Sequence, residues 1–160
     1  MSFTNTTLQD SPDLGAGEVI TASPYNVSAF ELFEDGLIEG RFCKFDEGSI
    51  DNMDASGTPV IAGIVKRKIT GEIGTGIYST SGMEMDQVAE VINFGFATVT
   101  VTGTADPSKY DAVNVINTAT ADAGKATDAA VASGIISAGD VVFWEQKATG
   151  VWLVRFNKYL

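Results

Sequence analysis

Ala97-Thr98-Val99-Thr100-Val101-Thr102 alternates with a period of two, one side apolar and the other threonine. That period belongs to a β-strand, whose successive side chains point to opposite faces, and β-branched residues favour it further. The strand signal extends back to Val88. Downstream lies the clearest hairpin of the chain: Val141-Val142-Phe143-Trp144-Glu145-Gln146, a turn over Lys147-Ala148-Thr149-Gly150, then Val151 to Asn157. A tight loop there pairs Phe143 with Val154 and Trp144 with Leu153. One face then carries Val141, Phe143, Trp152, Val154 and Phe156 and belongs to the core. The other carries Val142, Trp144, Val151, Leu153 and Arg155, which is too apolar for open water. Its cover is the second sheet of the same domain, the N-terminal arm or another subunit.

Upstream, the run Val60-Ile61-Ala62-Gly63-Ile64-Val65 is apolar on both faces, as a doubly covered strand requires, and ends at Lys66-Arg67-Lys68 where it meets solvent. Phe30 to Glu34 and Leu37 to Phe45 are further extended runs, punctuated by turns at Asp35-Gly36 and Asp46-Glu47-Gly48-Ser49. Seventeen glycines give a turn signal about once every nine residues, the spacing of a many-stranded sandwich or barrel. Helix is confined to one turn opened by Asp106-Pro107 and a short piece over residues 127–132, between Gly124 and Gly134. The expected fold is all-β: a small β-sandwich or barrel with at most one or two short helices.

Residues 1–24 differ in texture. They are rich in Thr, Asp, Ser and Gly, hold Pro12 and Pro24, and show apolar residues only singly. We read 1–24 as an extended N-terminal arm ordered against a partner, and 25–160 as a single β-domain. Phe3, Leu8 and Leu14 are the arm's candidate contact residues. Trp144, Leu153 and Arg155 are those of the domain.

The chain of 160 residues carries 21 acidic and 10 basic side chains, a formal charge of -11. That balance repels phosphate backbones and anionic lipid, so neither nucleic acid nor membrane is an expected partner. There is no histidine and one cysteine, Cys43. Histidine-based triads, thiolate zinc sites and iron–sulfur clusters are therefore ruled out, and so is an intramolecular disulfide. Cys43, flanked by Phe42 and Phe45, reads as a small core residue. Asp46, Asp51 and Asp54 around Gly48 lack the alternating ligands and distal glutamate of a calcium loop and read as a solvated acidic turn. Gly71-Glu72-Ile73-Gly74-Thr75-Gly76 lacks the lysine and following helix of a phosphate-binding loop. No catalytic, cofactor or metal residue is expected. The N-terminus has no basic start or apolar signal core, so the expected place of manufacture is a cytoplasm.

The segments Asp35-Gly36-Leu37-Ile38-Glu39-Gly40-Arg41-Phe42, Ile61 to Val65, Phe94-Gly95-Phe96 through Val101 and Ala138-Gly139-Asp140-Val141-Val142-Phe143, following a polar arm, resemble the head decoration, or cement, proteins of tailed bacteriophages. The resemblance spans roughly residues 16–160. It implies a non-enzymatic β-domain at the outer surface of the virion, assembled in the host cytoplasm. There it would act as a trimer or dimer and fasten adjacent subunits of the major capsid protein. Competing readings are a tail, baseplate or spike component, or a carbohydrate-binding module. The last needs aromatic platforms beside carboxylates, and strand alternation sends Trp144 and Glu145 to opposite faces.

Overall fold

The computed structural model describes residues 15–20, 23–31, 37–55, 59–67 and 88–158. All of their regular structure is strand: β1 (Asn26–Glu31), β2 (Phe42–Asp46), β3 (Ser49–Asn52), β4 (Val60–Val65), β5 (Val88–Thr100), β6 (Ala112–Ile116), β7 (Ala126–Thr127), β8 (Ile135–Ala148) and β9 (Val151–Phe156). The strands join antiparallel in the order β3-β2-β4-β5-β9-β8-β6-β7, with β1 also on β5. The chain is all-β.

Within the alternating run, Val101 continues only as a bridge and Thr102 lies outside the strand; Ala97 to Thr100 belong to the long strand β5, which is the spine of the molecule. Its first half pairs with β1 and β4, placing Ile92 beside Val27 and Ile64. From Gly95 onward it pairs with β9, Ala97 opposite Val154 and Val99 opposite Trp152. Gly95 sits at the change of partner with φ +98°, and a Cβ there would stand 2.6 Å from the carbonyl oxygen of Pro24. Only glycine fits that close approach without strain.

Beyond β5, Val101 makes a parallel bridge to Ala126 of β7, so the path β5-β9-β8-β6-β7 returns on itself as a small barrel. Val99, Val113, Val115, Phe143 and Val154 fill it at complete burial. On the other side of Gly95, β1, β4, β2 and β3 curl around a second core of Leu37, Cys43, Ile50, Val65 and Val91, with Phe30 packed against it and β1 approaching β3.

Several sequence expectations change here. No helix forms among the described residues: Asp106-Pro107 lies in irregular chain, Thr127 belongs to β7, and residues 128–132 form bends and a bridge. The hairpin joins Ala148 to Val151 through Thr149-Gly150 alone, and Phe143 faces Val154 as expected. A β-bulge then intervenes, so Glu145, not Trp144, opposes Leu153. The turn between β2 and β3 falls on Glu47 and Gly48, both at positive φ, with Asp46 opposite Ser49. Val60 is 62% exposed at the start of β4, which is covered on both faces only from Ala62 onward.

The threonine side of β5 does not simply face water: Thr100 is half-buried. Thr98 is fully buried; its hydroxyl donates to the Gly15 carbonyl at 2.6 Å and accepts from the Glu18 N–H at 2.8 Å. Gly17 N–H donates to the Thr98 carbonyl, Ile20 N–H to that of Phe96, and Val19 bridges to Ala97. Residues 15–20 of the predicted arm thus lie along β5 of their own chain.

Candidate partner-binding surface

The second face of the hairpin is covered by its own chain. Leu153, 4% exposed, packs with Ile20 of the segment along β5, and Phe96 and Trp144 border the pair. Leu153 is therefore core, whereas Trp144 and Arg155 stay half-buried. The bulge after Phe143 turns Trp144 away from the register that would hide it behind Leu153.

Around Trp144 stand Phe96 and Tyr110, both edge-on at 5.3 and 5.4 Å between ring centres. Lys109 Nζ lies 4.0 Å above the indole, and the Arg155 guanidinium carbon 5.2 Å from it. Offset edge-to-face rings and cations over a π face are attractive arrangements, the latter strongest on tryptophan. Arg155 is steadied by its Nε and Nη2 donating to Asn157 Oδ1 at 2.8 and 2.6 Å. Of the predicted contact residues, the structure brings together Trp144, Leu153 and Arg155; Phe3, Leu8 and Leu14 lie outside the described residues. Lys109, Tyr110 and Phe96 were missed, because their approach to Trp144 depends on a bulge and on a loop without regular structure.

Around the predicted acidic turn the arrangement differs from the expectation. Asp51 is 3% exposed rather than solvated, beside an equally buried Lys44. Lys44 Nζ lies 2.6 Å from Asp54 Oδ1 and 3.9 Å from Asp51 Oδ2, and Asn52 N–H donates to Asp51 at 2.6 Å. Desolvation raises the Asp51 carboxyl above the ordinary range, opposed by the Asn52 hydrogen bond and by Lys44. No group of three or more metal-ligating side chains occurs among the described residues. Lys66 and Arg67, expected to meet solvent at the end of β4, pair with Glu90 and Glu18 at 2.6 and 2.8 Å. The glycine-rich run 71–76 lies outside the described residues.

An open groove of about 380 Å³ runs between Ile38, Arg41, Met53, Asp54 and the turn at 119–123. Arg41 Nη1 donates there to the carbonyls of Ala121 and Ala123. Cys43, fully buried, keeps its thiol within 3.6 Å of the Gly63 carbonyl, and burial pushes that thiol up to about 12. A thiol so far from ionisation is no nucleophile. This surface presents rings and fixed cations, with no base poised beside a nucleophile among the described residues.

Residues 3–158 match the XM1 gp53 minor capsid protein family. The chain belongs to that family. It is a structural protein of a bacteriophage capsid. The fold agrees: a chain in the solved structure of the capsid of Myoviridae phage XM1 is 68% identical, covers the whole of both chains and superposes with a TM-score of 0.81. No curated protein matches.

Proposed function

We propose that the protein binds the outer surface of the assembled shell and fastens adjacent major capsid subunits, without catalysis and without a cofactor. The supporting observation is the full-length likeness, at 68% identity, to a chain solved within a phage capsid. A two-core β body spanned by one continuous strand is a stiff clamp, suited to holding two neighbours at a fixed distance. The protein does this as a homo-oligomer, a trimer or a dimer. Residues 1–14, with Phe3, Leu8 and Leu14, reach onto the shell or a sister subunit, adding main-chain hydrogen bonds at a sheet edge. The charge of -11 keeps genome and membrane from competing for these surfaces.

The test is co-sedimentation of purified protein with expanded heads that lack it, beside tail fractions. Saturable binding to heads and none to tails is the expected result. Removal of residues 1–14 is expected to leave the β body folded by circular dichroism and to abolish head binding. Equal occupancy of heads and tails by the intact chain defeats the proposal; undiminished binding of the shortened chain defeats the role of the arm.

A further inference from the structure

Among the described basic residues, Lys44, Lys66, Arg67, Lys125, Lys147 and Lys158 each stand within ion-pair distance of a carboxylate. Arg41 is engaged by two backbone carbonyls. Only Lys109 and Arg155 have no carboxylate or backbone-carbonyl partner among the described residues, Arg155 being held by the Asn157 side-chain amide, in a chain where acids outnumber bases 21 to 10. Both converge on one indole, that of Trp144. Two cations without an acidic partner meet on one ring, while the other described basic residues are engaged elsewhere, which gives this acidic surface a place open to negative charge.

The place is also held ready. Asn157 engages Nε and Nη2 of Arg155, which leaves Nη1 as a free fork of donors. Tyr110 is 61% exposed and sits at φ +76°, a region that bulky side chains avoid. Two backbone bonds fix it there: Tyr110 N–H to the Phe143 carbonyl at 2.7 Å, and Phe143 N–H to the Asp111 carbonyl at 2.9 Å. A strained, exposed aromatic ring held edge-on to a half-buried tryptophan is preorganised for contact, which lowers the ordering entropy of binding. Tyr, Trp and Arg are the residue types that dominate binding energy at interfaces.

We infer that Trp144, Tyr110, Lys109 and Arg155 form the surface that grips a carboxylate-bearing segment of the shell subunit. This deepens the proposed function and rests on it. A carboxylate brought to Lys109 Nζ or to Arg155 Nη1 gains charge-assisted hydrogen bonds, and an apolar neighbour on the same segment covers the aromatic rings beside them. A nucleic acid is a poorer fit, since two cations on a body of net charge -11 leave most phosphates repelled.

The test compares the wild type with Lys109→Glu/Arg155→Glu and with Tyr110→Asn in binding to expanded heads that lack the protein, over a range of salt. Asparagine tolerates positive φ, so Tyr110→Asn removes the ring without a fold penalty, and thermal melting of each variant checks this. The inference expects wild-type binding that weakens with salt. It also expects a loss of affinity on the order of tenfold or more in both variants, and a flatter salt dependence in the charge-reversed one. Wild-type affinity in the charge-reversed variant overturns the patch while leaving the proposed function standing. Absence of binding by the wild type overturns both. A change confined to solution oligomer size, or wild-type binding of single-stranded DNA that the charge reversal abolishes, assigns the patch to another occupant and overturns it as well.

Discussion

Lys44 and Asp51 show how one pair of side chains can tie stability to pH. Both are within the strand pair β2–β3, where Lys44 opposes Asp51 in register, and both are almost fully buried. Removing one member of a buried ion pair is strongly destabilising, because the other charge remains unsolvated. Lys44→Met is therefore expected to lower stability at pH 7 by about 3 kcal/mol. The sign with pH follows from Asp51, whose carboxyl is raised in the folded protein by desolvation. The folded state then holds the proton more tightly than the unfolded chain, so the penalty of the buried carboxylate is present above the folded pKa and fades as pH falls through it. Urea unfolding at neutral and at acidic pH is expected to show the Lys44→Met deficit shrinking toward acid; a deficit independent of pH contradicts this account. Nothing in the sequence distinguished Asp51 from Asp46 or Glu47, since burial of an acid depends on which strand lies across from it.

At the scale of the element, β5 governs the architecture through Gly95. A Cβ there meets backbone, the Pro24 carbonyl oxygen at 2.6 Å and Tyr25 Cα at 3.0 Å, and φ is +98°. Neither contact can be relieved by rotating a side chain. Gly95→Ala is expected to destabilise the protein by about 2 kcal/mol or more. Thermal melting reads the loss; an unchanged midpoint removes Gly95 from its role at the crossing of the sheets. The strand itself was legible, because the alternation from Ala97 to Thr102 admits one period, and the inward face of the hairpin was legible for the same reason: Val141, Phe143, Val154 and Phe156 are all buried, while Trp152, expected with them, is only partly buried against that core. The bulge after Phe143 was not, since an extra residue in one strand leaves alternation in the sequence intact while shifting every partner beyond it. The proposed gripping surface was half visible for that reason: Trp144 and Arg155 were singled out on the hairpin, while Lys109 and Tyr110 arrive from a loop whose path no periodicity encodes. The helical turns expected at Asp106-Pro107 and residues 127–132 failed because capping residues start a helix only where an apolar stripe follows to be buried, and none does.

At the scale of the whole molecule, copies bound to the shell as proposed act by mass action. A ligand that binds only the assembled state raises its stability with the logarithm of free concentration, about 2.7 kcal/mol at a hundredfold excess over the dissociation constant. Expanded heads are accordingly expected to disrupt at a temperature that climbs with added protein and levels off only slowly past full occupancy. Light scattering during heating measures this, and a disruption temperature indifferent to the protein counts against fastening. Truncations for such work are best ended at residue 14, since Ile20 shields Leu153 and Thr98 holds Gly15 and Glu18.

That seam along β5 has a mechanical meaning. Gly17 N–H bonds to the Thr98 carbonyl, Thr98 N–H to the Glu18 carbonyl, Ile20 N–H to the Phe96 carbonyl, and Arg67 N–H to the Gly17 carbonyl on the opposite edge. A tug on the chain ahead of Gly15, directed along the strand, stretches these bonds side by side and all must yield at once, whereas a pull across the strand would open them in succession. With residues 1–14 anchored on the shell as proposed, tension from a swelling shell would therefore enter the body as shear along β5, the direction in which a β-sheet is hardest to tear.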